Sequence, residues 1–263
     1  MTICSIASHI DYQSWFDMSS LRNSLRFLSS LLALYSGFAA QAVQAEEVAL
    51  DEVRIASIRD PQWISYKTAY KAMQIFEAYD KPKDLLRPVF TLIPKETTRK
   101  LSGLELRLVG DSTSEKIDVA NLWGTIPMRP EALDDNAEFV LNHPAGSFEF
   151  RRIMAIALNP TGTYKYAYLQ AGCNQVLEFI RHMNIVERIR FSGKKCVGVK
   201  LVYPGSHSGI AAVDKPVGES ESPLSEGHAE AGNKALQFRF HAGSAEGEIV
   251  ALAPIVAIVA LIE

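Results

Sequence analysis

Between residues 89 and 158 apolar side chains recur at every second position, a period that antiparallel strands bury on one face while the other face meets water. Leu104, Leu106 and Leu108 alternate with Glu105 and Arg107, and Ala137, Phe139 and Leu141 alternate with Glu138 and Val140. Successive residues of a strand point to opposite sides, so each run gathers its apolar set on one of them. Turn-forming residues separate the runs: Gly103, Gly110 with Asp111, Pro130, Asp134-Asp135-Asn136, Pro144 with Gly146, and Asn159-Pro160-Thr161-Gly162. Short strands at this spacing predict an α+β, mainly β fold with an antiparallel, sandwich-like core.

Two accessory helices are expected beside that core. Trp63, Tyr66, Tyr70, Met73 and Phe76 recur at steps of three and four, one face of a helix ending near Tyr79. Asp60 offers a capping side chain, Pro61 suits the first helical position, and Pro82 and Pro88 stop the helix. An aromatic stripe serves as a sugar-stacking surface or as a core face, and helical spacing favours the core. A strand over 164–169 leads to a second helix over 173–183, with Cys173, Val176, Leu177 and Ile180 on one side. After a break at Gly193, Val197, Val199, Leu201 and Tyr203 alternate as another strand.

Residues 204–235 are rich in Gly, Ser, Pro, Glu and Ala and hold few large apolar side chains, so they read as a loop or linker. Residues 236–263 recover apolar character. The run 249–262 is interrupted by Pro254 and is too short to span a bilayer, so it reads as two strands returning to the core. The β-rich domain is thus expected over 46–203, completed by the C-terminal strands.

The first 45 residues have the order of a cleavable export signal. Arg22 and Arg26 precede or open an apolar run over 27–40, and small residues follow, with Val43 and Ala45 at the third and first positions before a cut at Ala45–Glu46. The run is shorter than the roughly twenty residues of a spanning helix. Asp11 and Asp17 put acid where such signals carry base, which makes Met18 the expected start. The chain is therefore expected in the periplasm, with release from the cell as the alternative and no membrane span in the mature part.

Lys and Arg number 27 against 30 Asp and Glu, and the segment 1–45 removes two of each, so the rest stays near neutral. No basic surplus exists to neutralise phosphates, and nucleic acid is not an expected partner. Cys4 lies in the signal, leaving Cys173 and Cys196, an even pair in an oxidising compartment and hence an expected disulfide; two buried thiols are the alternative. Two cysteines this far apart do not make a structural zinc site.

Reactive constellations are scarce. His207 is central in Gly-Ser-His-Ser-Gly, whereas a nucleophile elbow places serine there. His207 and His228, with the acids between them, offer metal ligands only if the loop folds round an ion, and a solvated acidic linker is the simpler account. Asp134, Asp135 and Asn136 present hard oxygens without the spaced order of a calcium loop, so no metal and no cofactor are expected.

The sequence from Asp60, Asp-Pro-Gln-Trp-Ile-Ser-Tyr-Lys, the strand at 104–111 and the segment 134–141 with its Asn-Ala-Glu centre resemble a poorly characterised family of exported proteobacterial proteins. The resemblance spans about residues 60–180. It implies periplasmic residence and brings no catalytic positions. The resulting expectation is a non-catalytic protein that binds or supports another envelope component, a protein or a glycan. The alternative is a periplasmic hydrolase or carbohydrate-processing enzyme using Asp134, Asp135 and Glu138, which requires two carboxyl groups about 5 to 9.5 Å apart.

Overall fold

Strand pairing in the computed structural model is antiparallel throughout. The structure describes residues 64–96, 101–205, 211–213, 224–227, 232–240 and 247–263, with 211–213 and 224–227 as backbone. The export signal, the Asp60-Pro61 cap, Trp63, His207 and His228 lie outside the described residues.

The largest sheet takes strands from both ends of the described chain. Its centre is β1 (Leu86–Pro94) against β7 (Phe148–Ile156), paired along their full lengths. Beyond β1 lie β5 (Trp123–Gly124) and β4 (Val119–Ala120); beyond β7 come β14 (Ala257–Ile262), β9 (Cys196–Pro204), β12 (Asn233–Arg239) and β11 (Leu224–Gly227). The apolar C-terminal run thus becomes a strand with a neighbour on each side, as its lack of polar residues requires. The sheet curls. Asn121, in the β4–β5 turn at one edge, accepts through its carbonyl a bond from Asn233 Nδ2 in β12 near the other edge, at 3.3 Å.

Residues 204–235 differ from a plain linker. They hold β11, the beginning of β12, and β10 (Ala211–Val213), which pairs with β13 (Glu248–Ala251). β13 in turn pairs with β8 (Thr163–Lys165) in a separate three-stranded sheet. Low apolar content concealed these strands; β10 finds its partner β13 about forty residues on, while β11 forms a hairpin-like pair with the next strand, β12.

A second three-stranded sheet, β3 (Ser114–Ile117), β2 (Leu106–Val109) and β6 (Glu138–Leu141), carries the alternation read from sequence. Leu106, Leu108 and Phe139 are fully buried, in one cluster with Phe90, Leu92, Phe148 and Phe150 of the large sheet. Phe139 stacks on Phe150, with ring centroids 5.3 Å apart.

Helix α1 (Tyr66–Glu77) closes this cluster. Ser65 caps it, its Oγ accepting from Thr68 N–H at 3.3 Å. At its other end Lys83 Nζ donates to the carbonyls of Phe76 and Glu77 at 3.0 and 2.7 Å. The aromatic stripe is a core face: Tyr66, Tyr70 and Phe76 are buried, and the Tyr66 ring meets Phe139 edge-on at 5.5 Å. The Tyr66 hydroxyl accepts from Arg129 N–H at 2.9 Å and donates toward the carbonyls of Pro127 and Arg129 at 3.0 and 3.1 Å. That ties α1 to the start of a short helix α2 (Pro130–Asp134).

The longest helix, α3 (Tyr166–Met183), begins earlier than its apolar pattern from Cys173 suggested. Tyr166 and Leu169 continue the spacing of Cys173, Val176, Leu177 and Ile180, but the run Tyr-Lys-Tyr-Ala-Tyr at 164–168 has strand composition. α3 leads directly to α4 (Ile185–Arg190), and the chain returns through β9.

Cys173 and Cys196 are joined by a disulfide with a Cα–Cα distance of 5.9 Å. Plain alternation along β9 sets Cys196 opposite to Val197, Val199 and Leu201, away from α3. The register resolves this: Leu261 pairs with Gly198 but Ile262 pairs with Cys196, so Val197 is the extra residue of a bulge. A bulge re-aims the next side chain, and here it turns Cys196 to the helix. Closing a 23-residue separation stabilises the fold by about 3 kcal/mol in the chain-entropy account.

Candidate functional site

The three carboxylates singled out in the sequence go to three different environments. Asp135 is held by the turn between β2 and β3: its carboxylate accepts from Ser112 N–H at 2.9 Å and Thr113 N–H at 2.7 Å. Those bonds, Thr113's first, hold its carboxyl below the usual aspartate range. Glu138 is half-buried on β6, where burial pushes its carboxyl up and a hydrogen bond from the Tyr66 backbone partly offsets the effect. Asp134 is exposed at the end of α2. Among the described residues no group of three or more His, Cys, Asp and Glu side chains is arranged to hold a metal ion.

A cleft of about 400 Å³ opens where the β4–β5 turn meets the ends of β9 and β12. Leu101, Leu104, Val119 and Leu122 supply apolar walls, with Asn121 and Asn233 beside them. Asn121 and Leu122 both adopt positive φ, 51° and 70°, unusual for leucine. None of the described lining residues is ionisable, and Asp134, Asp135 and Glu138 are not among them.

The surface with the strongest chemical character is on α4. A helix at a protein surface ordinarily turns its apolar side inward. This one is inverted: Ile185, Val186 and Ile189 are 70%, 66% and 70% exposed, while Glu187 is buried. Positions i, i+1 and i+4 lie on one side of a helix, so the three form a single outward face. Leu252, also exposed, stands apart from them in the segment between β13 and β14.

The inverted helix is firmly seated. Asn184 caps it, Oδ1 accepting from Glu187 N–H at 2.9 Å. Phe191, buried, anchors the following turn. Arg181 of α3 donates from Nε to the Phe191 carbonyl at 3.0 Å and from Nη2 to the Lys194 carbonyl at 2.7 Å. The Cys173–Cys196 bond closes the base of the same α3–α4 hairpin. The apolar face is therefore presented by a fixed support.

A collar of cations adjoins it along the chain. Arg188, Arg190, Lys194 and Lys195 are exposed on α4 and the turn after it. The acids nearby each have a cation of their own: Glu178 with Arg181 at 2.8 Å, Glu187 with Arg190 at 3.9 Å, and Glu263 with Arg239 at 2.6 Å. Lys194 also acts on Glu263, which leaves Arg188 and Lys195 without a carboxylate partner among the described residues. The chain as a whole is slightly acidic, so this local surplus of positive charge departs from the average surface.

Sequence reasoning did not single out Ile185, Val186, Ile189 or the collar. The signal was the run Ile-Val-Glu-Arg-Ile-Arg, whose apolar residues share one helical face. Counted on from α3 at the helical period of about 3.6 residues, that face falls opposite Val176, Leu177 and Ile180, but an apolar helix face ordinarily reads as core and only solvent exposure shows otherwise.

No family model, curated protein or solved structure matches this chain.

Proposed function

We propose that the chain is exported to the periplasm and acts there as a non-catalytic protein that holds a negatively charged component of the cell envelope against the outward face of α4. The observation that carries this is the inverted helix: three adjacent large apolar side chains exposed on a rigid, disulfide-closed hairpin beside a cationic collar. Exposed apolar clusters rimmed by polar groups are the signature of contact surfaces. Export is supported by the order of charge, apolar run and small residues at the N-terminus, and by a disulfide that requires an oxidising compartment. No helix among the described residues is long and apolar enough to cross a membrane.

A hydrolase built on Asp134, Asp135 and Glu138 has one point in its favour, the raised carboxyl of Glu138. Against it, Asp135 is committed to two backbone amides, and none of the three carboxylates is among the described residues that line the cleft.

Expression of the full chain followed by cell fractionation tests the proposal. The wild-type protein is expected in the envelope fraction, with its signal removed by mass. The triple substitution Ile185→Ser, Val186→Ser, Ile189→Ser is expected to move it to the soluble periplasmic fraction with an unchanged melting temperature, since these side chains are exposed already. Equal distribution of the two proteins would overturn the binding surface, and recovery of unprocessed chain in the cytoplasm would overturn export.

A further inference from the structure

Resting on that reading, we infer that the negatively charged component is an anionic phospholipid leaflet, into which Ile185, Val186 and Ile189 insert while α4 lies in the plane of the interface. A six-residue helix is about 9 Å long, too short to cross a bilayer. Lying in the plane of the interface, such a helix can set its apolar face about 5 to 10 Å into the headgroup/acyl boundary, as interfacial helices do. The side chains suit that depth. Three branched apolar residues point outward from one side, and Arg188 and Arg190 flank them; the alkyl stem of Arg188 can follow the apolar face while its guanidinium reaches the phosphates, and Arg190 stays with Glu187.

Charge and apolar area belong together here because neither suffices alone. A small apolar contact gives marginal membrane binding, and stable residence takes a second signal, usually a basic patch. Arg188, Lys195 and Lys194, the last sharing Glu263 with Arg239, supply it, since Glu178 and Glu187 are neutralised by Arg181 and Arg190. The support also matters. Arg181 and the Cys173–Cys196 bond fix the hairpin before contact, so little ordering is needed on binding.

The same features argue against a second copy of the chain. Self-pairing through α4 about a twofold axis sets Arg188, Lys194 and Lys195 of one copy against those of the other, and like charges across an interface oppose association. A fluid leaflet needs no complementary groove for three projecting side chains, and its phosphates match the collar.

Vesicle co-sedimentation decides the matter, using the exported chain with its disulfide intact. The probes are vesicles of phosphatidylcholine, the same vesicles with a third of the lipid as phosphatidylglycerol, and inorganic phosphate at matched concentration. Binding is expected to the anionic vesicles alone, unaffected by inorganic phosphate and lost at about 1 M salt, where the screening length falls to about 3 Å. Arg188→Gln, Lys194→Gln and Lys195→Gln should each weaken it about 5-fold. Ile185→Ser, Val186→Ser, Ile189→Ser should abolish it with the melting temperature unchanged. Equal binding to neutral vesicles, or binding to neither, would overturn the inference, and displacement by inorganic phosphate would assign the collar to a free anion instead. If vesicles fail while the serine variant still leaves the envelope fraction in cells, the lipid is wrong and the wider reading stands, the partner being an acidic envelope protein.

Discussion

A Cβ built on Gly110 would lie 2.2 Å from Asp135 Oδ2 and 3.0 Å from the Asp135 carbonyl oxygen, so the glycine is required by its neighbour. Gly110→Ala pushes the carboxylate off the amides of Ser112 and Thr113 and is expected to lower the melting temperature. In an Asp135→Ala background the part of that loss due to the carboxylate should vanish, while the tight approach to the residue 135 carbonyl oxygen remains; equal losses in the two backgrounds would show that the Asp135 side chain does not respond to the added methyl. The same carboxylate predicts a pH effect. Its folded pKa is depressed, so its stabilising contribution is complete above the unfolded aspartate value of about 3.9 and is lost as pH falls through the lower folded value. Thermal melts of Asp135→Asn should show a shallower decline in that acid range than the wild type. The turn itself was legible from Asp134-Asp135-Asn136, and Asn136 does take the left-handed conformation, φ 49°, that favours asparagine. The reach of Asp135 back to residues 112 and 113 was not, since composition reports local turn chemistry and not which distant amides a side chain finds.

At the scale of elements, α4 is held in an unfavourable orientation by its surroundings. Glu187 is buried with Oε1 3.9 Å from Arg190, and Oε2 has no hydrogen-bond partner among the described residues. A buried, half-satisfied carboxylate costs about 1–3 kcal/mol relative to a satisfied one. Glu187→Met removes that cost while filling similar volume, and Arg190 is exposed enough to be solvated without it. The melting temperature should rise by about 3 °C for each kcal/mol recovered in a domain of this size. A fall would mean that the carboxylate supports the hairpin. The offset was present in the period: counted on from α3 at about 3.6 residues per turn, Ile185, Val186 and Ile189 fall opposite the face of Val176, Leu177 and Ile180, and Glu187 falls on that face; what composition argued against was that the fold would bury the glutamate and leave the three apolar side chains outside. β9 repeats the lesson, because the alternation of Val197, Val199, Leu201 and Tyr203 was plain while the bulge that turns Cys196 to α3 depends on the register with β14.

At the scale of the whole molecule, the large sheet consists of two well-laddered parts joined by a short seam. β1 and β7 pair along nearly their full lengths, as do β9, β14 and β12, but β14 meets β7 only at Ile258–Ile156 and Val259–Ala155. A ladder that brief adds little stability by itself. α3 lies across it, with Gly172 seated on Ile156 of β7 and Cys173 bonded to Cys196 of β9. The helix is thus the strap that makes one core of the two parts, and Gly172 is a point of close approach. A Cβ there would stand 2.6 Å from Ile156 Cγ2 and 3.3 Å from Cγ1, neither of them the free end of a flexible side chain. Gly to Ala in an ordinary helix interior stabilises by about 1 kcal/mol. Here the sign should reverse, with Gly172→Ala destabilising by about 1–3 kcal/mol through overpacking at the seam. Ile156→Ala opens space for the new methyl, so the double variant should be more stable than the sum of the two single losses predicts. Chemical denaturation of the four proteins with the disulfide intact measures the cycle. A gain in stability from Gly172→Ala alone would show that α3 does not press on Ile156 at the seam, and the account of α3 as the strap would fall with it.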